Sequence, residues 1–260
     1  MDTIRAAVVD LDGTVWRGDE LIDGARAGLA TLREAGVPVV FVTNGINLRA
    51  ADFADRLAAL GLPEDAGEVV TAGSATADYV AGQSPGVRTF VLGPPELHAE
   101  CRDAGLELVD SGTADVIVAG RAPELDGALL QRTLDVYTPE TDLVATSTDP
   151  THPVEDGFEP GSGATVGAIE GMTEREATVV GKPSSRMAEI ALARLGVAPE
   201  ECLVVGDRLG TDVEMGEDAG MTTALVLSGA SSQADVSDGE GPTPDHVLDS
   251  LGDVGRILAD

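Results

Sequence analysis

The sequence predicts an α/β protein built on a parallel sheet, with a second, smaller α/β domain inserted into the first. Short apolar runs of strand length alternate with amphipathic helical patterns, and polar side chains follow several of the runs. Such alternation is typical of a parallel sheet covered by helices on both faces. Open sheets of this kind form their sites beyond the carboxyl ends of the strands. We therefore expect the functional site at that end of the sheet.

The first predicted strand covers residues 6–9, an apolar run that we interpret as buried on both faces. Asp10 and Asp12 follow at its end, and two carboxylates beside an apolar strand are costly to hold near each other. A turn-forming pair of aspartates is the plain alternative. Gly13 lets the chain turn sharply after them because it has no side chain.

Two helix–strand units repeat this scheme further along the chain. Residues 24–44 have apolar side chains at helical spacing, a stop at Gly36 and then a buried strand. Residues 184–207 have the same order, with the stop at Gly196. Each unit supplies a strand whose carboxyl end we expect at the site.

The middle of the chain, residues 75–178, contains strand–helix pieces without polar side chains gathered at the strand ends. Within it, residues 147–171 are expected to form a long Gly/Pro-rich loop leading into a helix. We interpret the middle as an inserted domain, so that residues 1–74 and 179–260 form the first domain.

The charge balance excludes some partners. The chain has 46 acidic against 16 basic residues, a formal net charge of −30, which disfavours nucleic acid and anionic membranes as partners. Lysine is almost absent, and acid excess with little lysine resembles proteins of salt-accumulating halophiles. The single lysine, Lys182, therefore calls for a local reason.

Cysteine use and hydropathy favour a cytoplasmic protein. Cys101 and Cys202 are far apart and have no metal-ligand spacing, which favours two core thiols in a reducing compartment. The start of the chain lacks the pattern of a signal peptide, and no apolar run approaches membrane-spanning length.

Four short motifs follow in order: DLDGT (10–14), VTN (42–44), GKP (181–183) and GDRLGTD (206–212). Together they resemble the motifs of the haloacid dehalogenase superfamily, and an insert between the second and third is similar to its NagD-like type IIA branch. The resemblance implies a Rossmann-like core, an α/β cap over residues 75–178 and Mg²⁺-dependent hydrolysis of phosphate monoesters.

The resemblance assigns covalent catalysis to the first motif. Asp10 suits the nucleophile of a two-step transfer through an aspartyl-phosphate. Asp12 can protonate the leaving alcohol and then activate water.

Phosphoryl oxygens require donors and cations. Thr43 offers a hydroxyl, and the backbone near Asn44 and Gly45 offers N–H groups. Lys182 is a compact cation suited to phosphate, and a helix start is a poor place for a lysine that merely faces solvent.

Asp207 and Asp212 add negative charge to a site that must admit an anion, which is sensible only with a bound cation. Mg²⁺ prefers oxygen ligands and keeps several waters. By resemblance, Asp10, the backbone carbonyl of Asp12 and Asp207 coordinate it, with Asp212 supporting from close by.

Other features are interpreted as structural. Residues 161–167 superficially resemble a dinucleotide loop but follow no clear strand. His98 and His152 lack partners at useful spacing, and residues 17–19 are expected to form a hairpin turn with Trp16 as its apolar anchor.

Two alternatives remain open: a phosphoacceptor signalling module, and a non-hydrolytic homologue within the superfamily. The family acts on nucleoside monophosphates, sugar phosphates and glycerol phosphates, so a small phosphorylated metabolite is the expected partner. Residues 146–153 depart from the Asn-Pro-Asp segment of relatives, and nothing in the insert selects one ester. A homodimer through the cap is a further expectation from the resemblance.

Overall fold

A computed structural model describes residues 3–63, 67–83, 86–154, 157–239 and 241–259. Its strands are β1 (Ala6–Asp10), β2 (Trp16–Arg17), β3 (Glu20–Leu21), β4 (Val39–Thr43), β5 (Glu68–Thr71), β6 (Arg88–Leu92), β7 (Glu107–Leu108), β8 (Val116–Ala119), β9 (Asp142–Ala145), β10 (Thr151–Val154), β11 (Gly157–Pro160), β12 (Thr178–Val179), β13 (Cys202–Gly206), β14 (Thr222–Val226) and β15 (His246–Leu248). Its α-helices are α1 (Ala25–Glu34), α2 (Ala50–Ala59), α3 (Ala72–Gln83), α4 (Pro95–Asp103), α5 (Gly127–Val136), α6 (Ser162–Thr173), α7 (Ser185–Leu195), α8 (Glu214–Ala219), α9 (Gln233–Ser237) and α10 (Gly255–Leu258). Short helical turns cover Pro199–Glu201, Leu209–Val213 and Leu251–Asp253.

The larger sheet has six strands in the order β15-β14-β13-β1-β4-β5. Every pair whose register is described is parallel. All five residues of β1 are buried, as expected for a central strand covered by helices on both faces. The α/β prediction with a parallel sheet is thereby confirmed.

The chain divides into two compact units. The first comprises Met1–Thr43, Ala51–Val70 and Lys182–Asp260, and the second comprises Asn44–Ala50 and Thr71–Gly181. The second unit contains all of the predicted insert, residues 75–178. The roles of catalytic core and cap for these units stay a prediction.

The second unit has its own parallel sheet, in the order β12-β9-β8-β6-β7. Aliphatic side chains and Phe90 form its core. The expected long loop over 147–171 is partly wrong, because β10 and β11 pair as an antiparallel hairpin within it. Pro153 lies in this hairpin, and a proline argues against a strand unless the strand is at an edge.

Glycine ends the two helices where the sequence predicts a stop. Gly36 follows α1 with φ 73°, and its N–H donates to the carbonyl of Arg33 at 3.0 Å. Gly196 ends α7 in the left-handed conformation, with φ 67°. A side chain at either position would be strained, so both stops are set by local backbone chemistry.

The hairpin predicted after the first strand is present. Trp16 pairs with Leu21, and Arg17 pairs with Glu20, across a turn in which Gly18 has φ 55°. Trp16 is completely buried, as an apolar anchor should be. Among the residues described, no helix combines the length and the apolar character needed to cross a bilayer.

Candidate active site

The ends of three neighbouring strands form the floor of the candidate site in the first unit. β1 lies between β13 and β4, and its last residue, Asp10, is in register with Val42. Thr43 ends β4, and Asp207 directly follows β13. The parallel order therefore places these three polar residues at the same end of the sheet.

Lys182 is buried among acceptors at this end of the sheet. Its Nζ lies 2.5 Å from Oδ1 of Asp10 and 2.6 Å from Oδ1 of Asp212, and it also donates to the carbonyl of Val42 at 3.2 Å. The lysine is 4% exposed. Burial lowers the pKa of Lys182, but the two carboxylates outweigh it and raise that pKa overall, so the ammonium stays charged.

Three carboxyl groups crowd around one point. Ligand atoms of Asp10, Asp207 and Asp212 lie within 4.8 Å of one another, and all three residues are buried. Burial raises the pKa of Asp10 well above its usual value, with Lys182 opposing and the other two carboxylates adding to the rise. Burial, and then Asp212, raise the pKa of Asp207 to about 6. One ammonium does not balance three carboxylates.

Asp212 is held by its own motif. Its Oδ2 accepts from the backbone N–H of Arg208 and from the hydroxyl of Thr211, both at 3.2 Å. A Cβ on Gly206 would overlap the Asp212 side chain, so the glycine that ends β13 is required for this close approach. The GDRLGTD spacing thus turns Asp212 back toward the strand end.

Asp207 is held by the loop after β14. Its Oδ2 accepts from the N–H of Ala230 at 2.6 Å, and a Cβ on Gly229 would overlap the carboxylate. A Cβ on Gly13 would overlap it from the other motif, and Gly13 has φ 91°. Glycines therefore let two loops close on this carboxylate.

Asp12 has different surroundings from the three clustered carboxylates. Its side chain is exposed, and its Oδ1 accepts from Nε1 of Trp16 at 2.8 Å. Within the described chain, the carboxyl groups that cluster do not include that of Asp12. The side chain of Asp12 is therefore held by the indole of Trp16, and its role as a proton donor stays a prediction.

Asn44 and Gly45 belong to the second unit. There the side-chain Nδ2 of Asn44 donates to Oδ2 of Asp149 at 2.9 Å. A Cβ on Gly181 would lie 2.7 Å from Oδ1 of Asn44. The side chain of Asn44 is thus bonded within its own unit, and phosphate binding by the backbone of Asn44 and Gly45 stays a prediction.

Sequence reasoning missed three neighbours of these acids. Thr14 Oγ1 donates to Oδ2 of Asp10 at 3.1 Å, and Trp16 and Ala230 hold the side chains of Asp12 and Asp207 as described above. Thr14 and Trp16 each lie four residues after an aspartate, across a turn, and this spacing is the signal that could have predicted their contacts. Ala230 gives no such signal, because its contribution is a backbone N–H and not a side chain.

The residues present fit a divalent cation. Three buried carboxylates with one ammonium leave excess negative charge, and the donor set is entirely oxygen. Hard cations such as Mg²⁺ take such ligands. Asp10, Asp207 and Asp212 are the clustered side chains that could hold one.

Comparison of sequences identifies the family. Residues 7–107 match the family described as haloacid dehalogenase-like hydrolase, and residues 179–254 match a further haloacid dehalogenase-like hydrolase family. Sugar-phosphatase AraL of Bacillus subtilis is 35% identical over 96% of this chain and 92% of its own length. Glycerol-3-phosphate phosphatase of Gallus gallus is 31% identical over 99% of this chain and 93% of its own length.

Solved structures of similar proteins cover nearly the whole chain. A p-nitrophenyl phosphatase from Archaeoglobus fulgidus has a TM-score of 0.92 and 33% identity, covering 98% of this chain and all of that one. NagD from E. coli has a TM-score of 0.86 and 30% identity, covering 96% of this chain and 98% of that one. The likeness to NagD therefore extends over 96% of the chain and is not confined to the four motifs.

Proposed function

We propose that this chain, which belongs to the haloacid dehalogenase-like hydrolase family, hydrolyses small phosphate monoesters with Mg²⁺ through an aspartyl-phosphate on Asp10. Its whole-length relatives are phosphatases, and the chain is a phosphoric monoester hydrolase. A signalling module without turnover does not fit these relatives. The observation that supports the finer proposal is the buried contact of Asp10 with Lys182.

Asp10 has the surroundings of a nucleophile. Its Oδ1 accepts from Lys182 and its Oδ2 from Thr14, so both oxygens are oriented. In the first step one oxygen attacks phosphorus, and the bond between phosphorus and the ester oxygen breaks. In the second step a water oxygen attacks the same phosphorus and releases the Asp10 carboxylate with inorganic phosphate.

Asp12 moves the proton in both steps. Protonated Asp12 donates to the leaving ester oxygen, and the resulting carboxylate then takes a proton from the attacking water. Its exposed carboxyl group, outside the buried cluster, supports this role. The two aspartates of the DLDGT motif thus divide nucleophilic and proton-transfer work.

The charge of the phosphoryl group is offset on several sides. Lys182 provides a fixed positive charge beside Asp10, and Thr43 with the backbone of Asn44 and Gly45 provides donors. Mg²⁺ held by Asp10, Asp207 and the carbonyl of Asp12, with Asp212 in support, supplies Lewis-acid stabilisation of phosphoryl oxygens when bound.

The substrate is proposed as a small phosphorylated metabolite: a sugar phosphate, a glycerol phosphate or a nucleoside monophosphate. The names of relatives support all three classes, since they include a sugar phosphatase, a glycerol-3-phosphate phosphatase and a 5'-nucleotidase. No single ester among these classes is proposed. A panel of phosphate esters, assayed for kcat/KM, ranks the classes.

Trapping tests the covalent mechanism directly. The protein is mixed with p-nitrophenyl phosphate and Mg²⁺, quenched in acid and digested for mass spectrometry. We expect a phosphate adduct on the peptide carrying Asp10, absent in Asp10→Asn, and no turnover in excess EDTA. Turnover without an adduct on Asp10 in rapidly quenched samples, or turnover unaffected by EDTA, contradicts the proposal.

Cellular setting and assembly follow as lesser proposals. Both cysteines, Cys101 and Cys202, are free and buried, which supports a reducing, cytoplasmic setting. The acid excess supports a high-salt setting. The homodimer through the cap stays a prediction, and light scattering of the purified protein tests it.

A further inference from the structure

Trp16 is the one tryptophan of the chain, and its only polar side-chain atom is bonded to the proposed proton donor. The side chain is completely buried, whereas Asp12 is exposed. An indole N–H is a donor and never an acceptor, and a buried N–H that loses its acceptor is costly. The indole therefore keeps Oδ1 of Asp12 in one place.

The indole ring cannot easily rotate away from Asp12. The Phe53 ring is parallel to it within 3°, with the centroids 6.1 Å apart. The guanidinium carbon of Arg56 lies 4.6 Å from its ring centroid. Arg56 also donates to the carbonyl of Gly18 and to Oδ1 of Asp19. These hydrogen bonds connect α2 to the β2–β3 hairpin, which contains Trp16.

Backbone bonds fix the other end of the pair. The N–H of Gly13 donates to the carbonyl of Trp16 at 2.8 Å, and the N–H of Trp16 donates to the carbonyl of Leu11 at 3.1 Å. The turn between Asp12 and Trp16 is therefore closed, and both side chains leave it on a fixed frame. Together these contacts hold an otherwise mobile surface carboxylate in a single orientation.

We propose that Trp16 is a positioning residue for Asp12: its N–H holds Oδ1 and leaves Oδ2 to exchange the proton. The inference rests on the proposed function, in which Asp12 gives its proton to the leaving ester oxygen and recovers one from water. Trp16 itself transfers nothing. Its effect should therefore be large only where proton transfer limits the rate.

An atomic replacement tests this. Expression in a tryptophan auxotroph with 3-benzothienylalanine replaces the indole N–H by sulfur, and only Trp16 is affected because the chain has no other tryptophan. Incorporation of 4-fluorotryptophan, which keeps the N–H, is the matched control. Single-turnover cleavage is followed with p-nitrophenyl phosphate, whose leaving group needs little protonation, and with an alkyl phosphate, whose leaving group needs it.

With sulfur in place of N–H, we expect cleavage of the alkyl ester to slow by about tenfold at saturation, the size expected for a hydrogen bond to a charged group. Cleavage of p-nitrophenyl phosphate should change by less than about twofold, because its phenolate leaves without full protonation. KM should stay close to its original value, and the fluorinated control should match the unmodified enzyme. Trp16→Phe, which keeps an aromatic ring, should show the same dependence on the ester.

A merely structural role predicts other results. Equal losses on the two esters, or a loss that follows only a lower unfolding temperature, overturn the inference. So does a further loss when sulfur is introduced into Asp12→Asn, where no proton donor remains to be positioned. If the unmodified protein hydrolyses neither ester, the proposed function is overturned together with the inference. If it hydrolyses both esters and only the expected difference between them is missing, the inference on Trp16 alone is overturned.

Discussion

Lys182 Nζ lies 2.5 Å from Oδ1 of Asp10, although the two residues are 172 positions apart in the chain. The only lysine of the chain thus contacts the proposed nucleophile. An ammonium is compact enough to be enclosed at 4% exposure beside two carboxylates. In the proposed reaction, Lys182 orients Asp10 and supplies positive charge beside the phosphate.

Asp10→Asn should abolish turnover while leaving the fold intact. An amide is nearly the same size as the carboxyl group but cannot form the acyl phosphate. Its loss also relieves repulsion among the three buried acids, so the unfolding temperature without metal should not fall. Hydrolysis near the wild-type rate would rule out Asp10 as the nucleophile.

Asp12→Asn should remove proton transfer, which typically contributes about a hundred- to ten-thousand-fold. The first step on p-nitrophenyl phosphate should suffer much less than on an alkyl phosphate, because nitrophenolate leaves unaided. Single-turnover rates for both esters measure the difference. The same defect on both would count against Asp12 as the acid.

Lys182→Ala should lower kcat/KM by about a hundred-fold or more, by analogy with losing a donor to a developing oxyanion. It also leaves Asp10 and Asp212 without their shared cation, so we expect the unfolding free energy to fall by about 3–5 kcal/mol.

Two further variants act as controls for the lysine. Lys182→Arg should restore activity only in part, because the planar guanidinium has a different shape and reach. Arg194 is an exposed cation paired with Glu68, so Arg194→Ala removes one positive charge from the surface and should leave activity unaltered. If Lys182→Ala and Arg194→Ala hydrolyse the ester at the same rate, the proposed catalytic role of Lys182 is contradicted.

Metal binding should strengthen as pH rises through about 6, where the raised pKa of Asp207 lies. Below that pH protons compete with the metal for the same oxygens, so affinity should gain up to about tenfold per pH unit and then level off. Titration calorimetry with Mg²⁺ between pH 5 and 8 measures this. A flat profile would argue against Asp207 as a ligand.

The raised pKa of Asp207 should also make the metal-free protein less stable as pH rises. The folded protein holds a proton on Asp207 up to about pH 6, whereas the unfolded chain releases it near 3.8. Stability from this group is therefore complete below about pH 4 and is lost as pH rises through 6. Asp207→Asn should reduce the pH dependence but not abolish it, because the pKa of Asp10 is raised as well. Chemical denaturation in EDTA at pH 4 to 7 compares the variant with the unmodified protein.

The sequence predicts those parts of the site that rest on residue type and strand position. Asp10, Thr43 and Asp207 follow apolar strands, and parallel packing brings such strand ends together. Gly36 and Gly196 mark helix ends because the required backbone conformation is local. These features need no knowledge of distant contacts.

The remaining parts depend on tertiary contacts. The N–H that Ala230 donates to Asp207 belongs to the backbone, and every residue except proline has one. No residue type in the sequence therefore predicts this hydrogen bond. The hairpin β10–β11 includes Pro153 and Gly157, residues that strands usually avoid. The stacking of Arg56 on Trp16 joins residues of separate elements, and neither alone predicts it.

The acid excess predicts dependence on salt. With 46 acidic against 16 basic residues, folding gathers like charges into one compact volume, and their repulsion opposes it. The Debye length is about 30 Å at 0.01 M and about 3 Å at 1 M salt, so high salt confines the repulsion to close neighbours. We expect the unfolding temperature to rise with KCl. Activity and far-UV dichroism should fall below about 0.1 M KCl, where the Debye length exceeds about 10 Å and repulsion reaches beyond close neighbours.

Mg²⁺ should delay that loss by binding the folded protein at the site of Asp10 and Asp207. Asp10→Asn, which weakens that site without changing the surface, serves as the control for specific binding. An unfolding temperature that does not change between 0.1 and 2 M KCl would contradict adaptation to salt. It would not bear on the proposed phosphatase function.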